Sequence, residues 1–520
     1  MAALLRGVDR SRWAIFGLVA LLYAAGFNGT WRMSADGALY MALGLNLAEG
    51  RGYTYLGEHH AWVEPGLPWV VAAAYTLGGR AYGPALVDAA LLAAAAAALF
   101  FVYQLIQRVF DRPTAVVVTA MTGLSHVFYR VTLEVMTDVP FVAALFATLL
   151  AYEWVRGDPR RPRGWVLAAA GILAMVAVRP VSMTVIAAIA ATAGWHAVVA
   201  RRQWKRHALL AGLAVAIFFA FRFVDPRRDE GAGETVYMEK QTANVLTTHL
   251  PFYLKRAFGD LGQRVAFDVW PNAVVPIRAD GLDQVIGLAL LAAAVALLRV
   301  RTLWAAVAVL VLLQAAMWSD IDRYVLPPLP LILAVFATAA VWVARRLPPA
   351  AAGALVAVLL ALYFGPNAAE VGKLVREQRA TPASYSVGGE WSRDLASLAT
   401  AIRDHVGEGD TVLAANNRVL AFLAERNVPL IPKLPAGLPR PELIERTERA
   451  LGRSGGRLWV VLPLHPKTRF YVERMRIAWD GPVARAGDLS LHPARFLANT
   501  EATTQAVDGR SLDPDMPKPQ

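Results

Sequence analysis

The residues whose types and spacing could do chemistry in this sequence are acids, arginines and a histidine pair lying next to apolar runs. Asp36 stands in MSADGALYMALGLNLAEGRGY, just after the first apolar stretch. A carboxylate at the mouth of a helical bundle can take a proton from an acceptor hydroxyl. Its alternative is helix capping, since Ser34 and Asp36 precede an apolar helix. Glu134 and Asp138, in LEVMTDVP, are spaced i, i+4 and would share a face of one helix. Asp138 also suits a helix start, with Pro140 close behind it; Glu134 has no evident capping role. Arg323 and Tyr324 stand in WSDIDRYVLPPLPLIL, and Arg179 in the tight corner AVRPVS. An arginine at a helix start offers a bidentate grip on phosphate. The alternatives for Arg323 are snorkelling and pairing with Asp320 or Asp322. His59, His60 and Glu64, just before Pro65, can bind a divalent metal ion, line a wet loop or bond a substrate. The chain has no cysteine, so it has neither disulfides nor thiolate metal sites. No Walker loop, no glycine fingerprint after a strand, no HExxH and no GxSxG is present.

Membrane helices must position these groups. The 520 residues are 56% hydrophobic and 18% charged, with a mean hydropathy of +0.41. A soluble domain is about 45–50% apolar and about 25% charged. Residues 84–107, PALVDAALLAAAAAALFFVYQLIQ, carry a single charge. A hydrocarbon core about 30 Å thick takes about 20 such residues as a helix. About eleven spans are expected, near 13–28, 84–107, 114–129, 139–155, 164–178, 181–200, 208–224, 282–298, 302–318, 324–344 and 350–366. The first is read as an uncleaved helix, because WAIFGLVALLYAAGF lacks a clear cleavage site. ADGALYMALGLNLAEG reads as an amphipathic helix at the interface, and PGLPWVVAAAYTLGG as a short re-entrant or interfacial segment.

The net charge of +12 sits in short basic clusters between apolar runs, which encodes topology and argues against a nucleic-acid partner. Arg6, Arg10 and Arg12; Arg108 and Arg112; Arg156, Arg160, Arg161 and Arg163; Arg201, Arg202, Lys205 and Arg206; Arg299 and Arg301; and Arg345 and Arg346 all fall on one side if the N-terminus is cytoplasmic. The loops 29–83 and 225–281 and the tail then lie outside. A reporter active only outside the cytoplasm should therefore work after residue 366 and fail after residue 160 or 204. Activity at either inner fusion would reverse the orientation.

The tail alternates helix-like DLASLATAIRDHV with strand-like TVLAANN and RLWVVLPL, which suggests a small α/β domain. The expected division is a membrane domain over 1–366, an extracytoplasmic α/β domain over 367–505 and a disordered tail over 506–520, ending in DMPKPQ. No internal repeat is present.

The order DGALYMALGLNLAEGRGY, HHAWVEPGLPW, LEVMTDVPF and RYVLPPLPLIL resembles the GT-C superfamily of polyprenyl-phosphate-sugar-dependent glycosyltransferases. The branch it is most similar to is the protein O-mannosyltransferase and lipid A aminoarabinose transferase group of bacterial inner-membrane proteins. The resemblance covers about residues 13–345. It implies that Asp36 is the first-loop acid serving as base or acceptor ligand, that Glu134 and Asp138 are further acids of the second outer loop, and that Arg323 and Tyr324 belong to an Arg-Tyr-x-x-Pro stretch. It implies a polyprenyl-phosphate sugar donor, a lipid, glycan or protein acceptor and, for the His59–Glu64 loop, a possible divalent metal ion. Two departures stand out: Gly37 where the family often has a second acid, and Glu64 where it often has Lys or Pro. The competing class is a transporter or flippase, which requires charges or broken helices at the bilayer midplane. Here the span interiors are mostly Ala, Leu and Val, with polar groups at the outer ends.

Overall fold

The computed structural model describes residues 10–225 apart from short gaps, 289–317, 323, 326–380 and, in the tail, 391–426, 457–462 and 477–496 with short gaps. The expected outer loop 225–281 after Asp225 and the first seven residues of span 282–298 lie outside the described residues, as do Tyr324, Asp320, Asp322 and the segment 497–520.

The described part up to residue 384 is mainly helical. Its helices are α1 (Arg12–Gly26), α2 (Ala35–Ala48), α3 (Gly66–Val109), α4 (Arg112–Gly123), α5 (His126–Leu133), α6 (Asp138–Gly157), α7 (Pro162–Val178), α8 (Ser182–Trp195), α9 (Trp204–Val224), α10 (Thr302–Met317), α11 (Leu329–Ala344) and α12 (Pro349–Ala380). Between α2 and α3, β1 (Thr54–Tyr55) and β2 (Glu58–His59) form a small antiparallel hairpin. Among the described residues five helices are long and apolar enough to cross a membrane, or six if α4 and α5, bent by 55°, count as one. Shorter apolar helices accompany them, among them α1, α7 and α11.

The burial pattern is that of a bundle in lipid. α6 is the central helix, with 89% of its apolar window buried, whereas the window in α9 is only 22% buried. Leu21, Leu77, Val198 and Phe223 point outward although they are large and apolar. A soluble monomer rarely exposes such a continuous apolar surface, while lipid tails accept it.

Three local features matter for the site. The segment beginning PGLPW forms the first part of α3, directly after Pro65, and a kink at Gly79 sets it off from the following span. Gly79 has φ 60° and ψ −168°, a conformation essentially reserved for glycine, so helical geometry is interrupted there and α3 is two helices joined across the kink. The expected span 114–129 is broken into α4 and α5. The helix expected to end near 366 continues as α12 to Ala380.

α2 is tied to α3 at its far end. Arg80 donates to Glu49 (2.6 Å and 2.9 Å), and Arg51 joins the same carboxylate. Burial pulls the Glu49 carboxyl upward, but the bonds and charges of Arg80 and Arg51 outweigh it and hold it below its usual range.

Residues 385–520 form a second compact unit, separate from 1–384. Its described elements are α13 (Trp391–His405), β3 (Thr411–Leu413), α14 (Asn417–Ala424), β4 (Leu458–Leu462), β5 (Ile477–Trp479), β6 (Ala484–Ala486) and β7 (Leu489–Phe496). β3 runs parallel to β4, β4 antiparallel to β7, and β5 and β6 both pair antiparallel with β7. Asp410 locks β3 to β4 by accepting from the Arg457 backbone N–H (2.7 Å) and the Trp459 indole N–H (2.9 Å). With its own sheet and buried residues, and no disulfide to lose, this unit expressed alone should melt cooperatively. A featureless melt with random-coil circular dichroism would refute independent folding.

Candidate active site

Two short segments far apart in sequence run side by side and bring the acids together. The Arg32 N–H donates to the Leu133 carbonyl (3.0 Å), and Arg32 bridges Glu134 in parallel register. The Ser34 hydroxyl faces Met136 Sδ at 3.9 Å, across 102 positions of sequence. Two residues further on in each segment, Asp36 and Asp138 both reach the Arg323 guanidinium. Arg323 lies between them: Nη2 donates to Asp36 Oδ2 (2.6 Å), Nη1 to Met136 Sδ (2.8 Å), and Nη1 is 3.7 Å from Asp138 Oδ2. Arg179 Nη1 donates to the other oxygen of Asp138.

Local sequence explains each placement. Ser34 is the N-cap of α2 and its hydroxyl accepts from the Gly37 N–H (3.0 Å). Capping therefore falls to Ser34, and the Asp36 carboxylate in the first turn is left to Arg323. Asp138 opens α6, two residues before Pro140, whose missing N–H costs nothing in a first turn. Arg179 follows α7 in extended conformation at the corner before α8. That corner abuts the start of α3: a Cβ at Gly66 would stand 2.7 Å from the Ala177 carbonyl oxygen, so only glycine admits this approach.

Glu134 and Asp138 do not share a helix face, contrary to their spacing. Glu134 is extended, beyond the end of α5, and α6 begins only at Asp138. The residues between them are drawn out of helical conformation by pairing with 32–36. Glu134 faces Arg130 at 4.0 Å, and Arg32 reaches Glu377 of α12 at 3.5 Å. Glu134 thus belongs to a neighbouring set of charges, not to the Asp36–Arg323–Asp138–Arg179 chain.

The chain of four charges is graded in exposure. The side chains of Asp138 and Arg179 are 0% and 6% exposed, that of Arg323 is 12% and that of Asp36 is 34%. Asp36 is therefore the most exposed of the four. Two carboxylates and two guanidinia cancel formally, which is what makes burial of the inner pair tolerable. Burial works against the charge on Arg323, but Asp138 and Asp36 outweigh it and raise its pKa further.

Sequence reasoning missed Tyr40, Met136 and Thr137. Tyr40 lies one turn beyond Asp36 on α2, so its i+4 spacing was the available signal. Burial, then the Asp36 charge, pushes its phenol up to about 12, against a bond to Thr137 and the charges of Arg179 and Arg323. It stays a neutral donor beside the carboxylate.

The histidine loop sits elsewhere in the hairpin. His59 is in β2 opposite Thr54, the His60 N–H donates to the Tyr53 carbonyl (2.9 Å), and the His60 ring lies against Tyr53 and Tyr55. Glu64 is buried just before α3. Among the described residues no three His, Asp or Glu side chains gather in a way that could hold a metal ion. The donor set expected at His59, His60 and Glu64 is therefore not assembled.

The family of dolichyl-phosphate-mannose-protein mannosyltransferases matches residues 59–223. No curated protein matches the chain. Among solved structures, ArnT from Cupriavidus metallidurans bound to undecaprenyl phosphate superposes with a TM-score of 0.55 at 13% identity, covering 93% of this chain and 98% of that one. At this identity the likeness shows a shared fold. ArnT in the apo state gives a TM-score of 0.54 at 16% identity over 92% of this chain and 98% of that one. AglB, an oligosaccharyltransferase from Archaeoglobus fulgidus in complex with an inhibitory peptide and a dolichol-phosphate, gives 0.53 at 14% identity over 86% of this chain and 69% of that one.

Set in this fold, the charge chain brings a carboxylate and a guanidinium into direct contact. A partly exposed carboxylate, a mostly buried guanidinium and a neutral phenol are neighbours, backed by a buried ion pair. Such a set can deprotonate a hydroxyl and stabilise an anionic leaving group without a nucleotide-binding fold.

Proposed function

We propose that this chain is a membrane glycosyltransferase that moves a sugar from a polyprenyl-phosphate donor to an acceptor hydroxyl at the outer face of the membrane. The observation that carries the reading is the contact of Arg323 with Asp36 at 2.6 Å, at the exposed end of a buried charge chain. Asp36 takes the proton of the acceptor hydroxyl. The acceptor oxygen then forms its bond to the anomeric carbon as the bond from that carbon to the phosphate oxygen breaks. Arg323 receives the developing phosphate charge, and Arg179 supports it through Asp138. Tyr324, next in sequence, is assigned to the same phosphate site. The bundle of about eleven spans has its N-terminus in the cytoplasm of a cell with an inner membrane, and the unit after residue 384 lies outside. The family match supports the donor class, as does the fold shared with proteins solved with undecaprenyl phosphate and dolichol-phosphate.

The test is transfer from a panel of polyprenyl-phosphate sugars to membrane extracts by the purified protein. Transfer from at least one donor, with release of the polyprenyl phosphate, is expected. Folded protein that transfers from none of them would refute the reading.

A further inference from the structure

The break between α4 and α5 lies inside the bundle, bent by 55° at Leu124 and Ser125. No proline occurs between Pro113 and Pro140, but Gly123 and Ser125 flank Leu124 at the break and ease it locally. A helix interrupted in apolar surroundings leaves carbonyl and N–H groups that must find partners. Here side chains from two other helices supply them. The Tyr23 hydroxyl of α1 donates to the Gly123 carbonyl (2.9 Å), and the Tyr363 hydroxyl of α12 to the Met121 carbonyl (2.7 Å). Asn367 of α12, with 0% exposure, accepts through Oδ1 from the His126 N–H, the first residue of α5 (2.8 Å). The same oxygen lies 3.1 Å from His126 Nδ1, and Nδ2 donates back to the Tyr363 carbonyl (2.9 Å). Both ends of the amide are used, and they tie the start of α5 to α12.

What α5 carries makes this break matter. Its last residue, Leu133, and the following Glu134 pair with Arg32, and the chain then delivers Met136 and Asp138 to Arg323 and Arg179. The direction of α5 therefore fixes where those residues meet the guanidinium. We propose that Asn367 is a positioning residue for the donor-phosphate site: by holding the α4–α5 break bent it keeps Met136 and Asp138 where they orient Arg323. This rests on the reading of Arg323 as the phosphate-holding group.

The test pairs a distance with kinetics. The chain contains no cysteine, so Arg112→Cys and Arg130→Cys can carry spin labels on α4 and α5 without interference. Asn367→Leu removes the acceptor at constant bulk, while Asn367→Asp, neutral in such surroundings, keeps both an acceptor and a donor. In Asn367→Leu the label distance should lengthen as the break straightens. In the cysteine-free chain its KM for the polyprenyl-phosphate sugar should rise about tenfold with kcat nearly kept. Asn367→Asp should restore both. An unchanged label distance overturns the proposal, and so does a loss confined to kcat or to the amount of folded protein with KM unmoved. If the unsubstituted chain transfers no sugar, the donor reading fails on its own, and the label distance alone then decides whether Asn367 holds the break.

Discussion

Asp36→Asn is expected to lower sugar transfer by about 10²–10⁴-fold while leaving the protein folded and able to bind donor. The substitution isolates basicity from everything else Asp36 does. Asn matches it in size, and its amide oxygen can still accept from Arg323 Nη2. The start of α2 does not depend on it, because the Ser34 hydroxyl caps the Gly37 N–H. Arg323 also retains Met136 and Asp138. The loss should therefore fall on kcat, with the KM for the donor little changed and the thermal midpoint within the small range of a surface substitution. Near-normal transfer by a folded Asp36→Asn protein would remove Asp36 from the mechanism and make Asp138 the next acid to test.

What the sequence disclosed about this site, and what it did not, follows from the range of the interactions. Apolar runs report burial in lipid residue by residue, so the helices around 84–107, 139–155 and 208–224 were visible in composition alone. Asp36, Asp138, Arg179 and Arg323 were visible as charges at helix ends, where ionisable groups are costly and need a reason. Their pairing was not visible. It depends on two segments meeting at an offset of 102 residues, for which no local pattern exists. The same contact explains the misreading of Glu134. A count of i, i+4 assumes an unbroken helix, and tertiary pairing with Arg32 removed that helix. The break at Leu124 and Ser125 had only Gly123 and Ser125 as a local signal; its backbone groups are satisfied partly by neighbours in sequence and partly from α1 and α12. The kink at Gly79 was legible by contrast, since the prolines at the start of PGLPWVVAAAYTLGG and its shortness marked it off from the span that follows.

Asp138→Leu is expected to destabilise the protein by about 3–5 kcal/mol, a far larger cost than for any other acid of the site. Asp138 is wholly buried and bonded to Arg179, itself only 5% exposed. Removing the carboxylate leaves the Arg179 guanidinium charged in a site with little water, and a guanidinium cannot escape by losing its proton. Asp36 is different: its side chain is 34% exposed and solvent can replace what a substitution removes. Stability and activity should therefore separate between the two acids. Arg179→Met combined with Asp138→Leu should recover much of the lost stability, because two apolar side chains replace a buried pair and no charge is stranded. Activity should stay low in the double variant, since Arg323 has lost one of the groups that orient it. Thermal unfolding of the detergent-solubilised protein across the four-member cycle measures the coupling directly. Strong coupling with activity unrescued identifies Asp138 and Arg179 as the structural back of the phosphate site. Single substitutions that melt like the parent would show that the pair does not hold the site together, and would return Asp138 to consideration as an acid that acts on substrate.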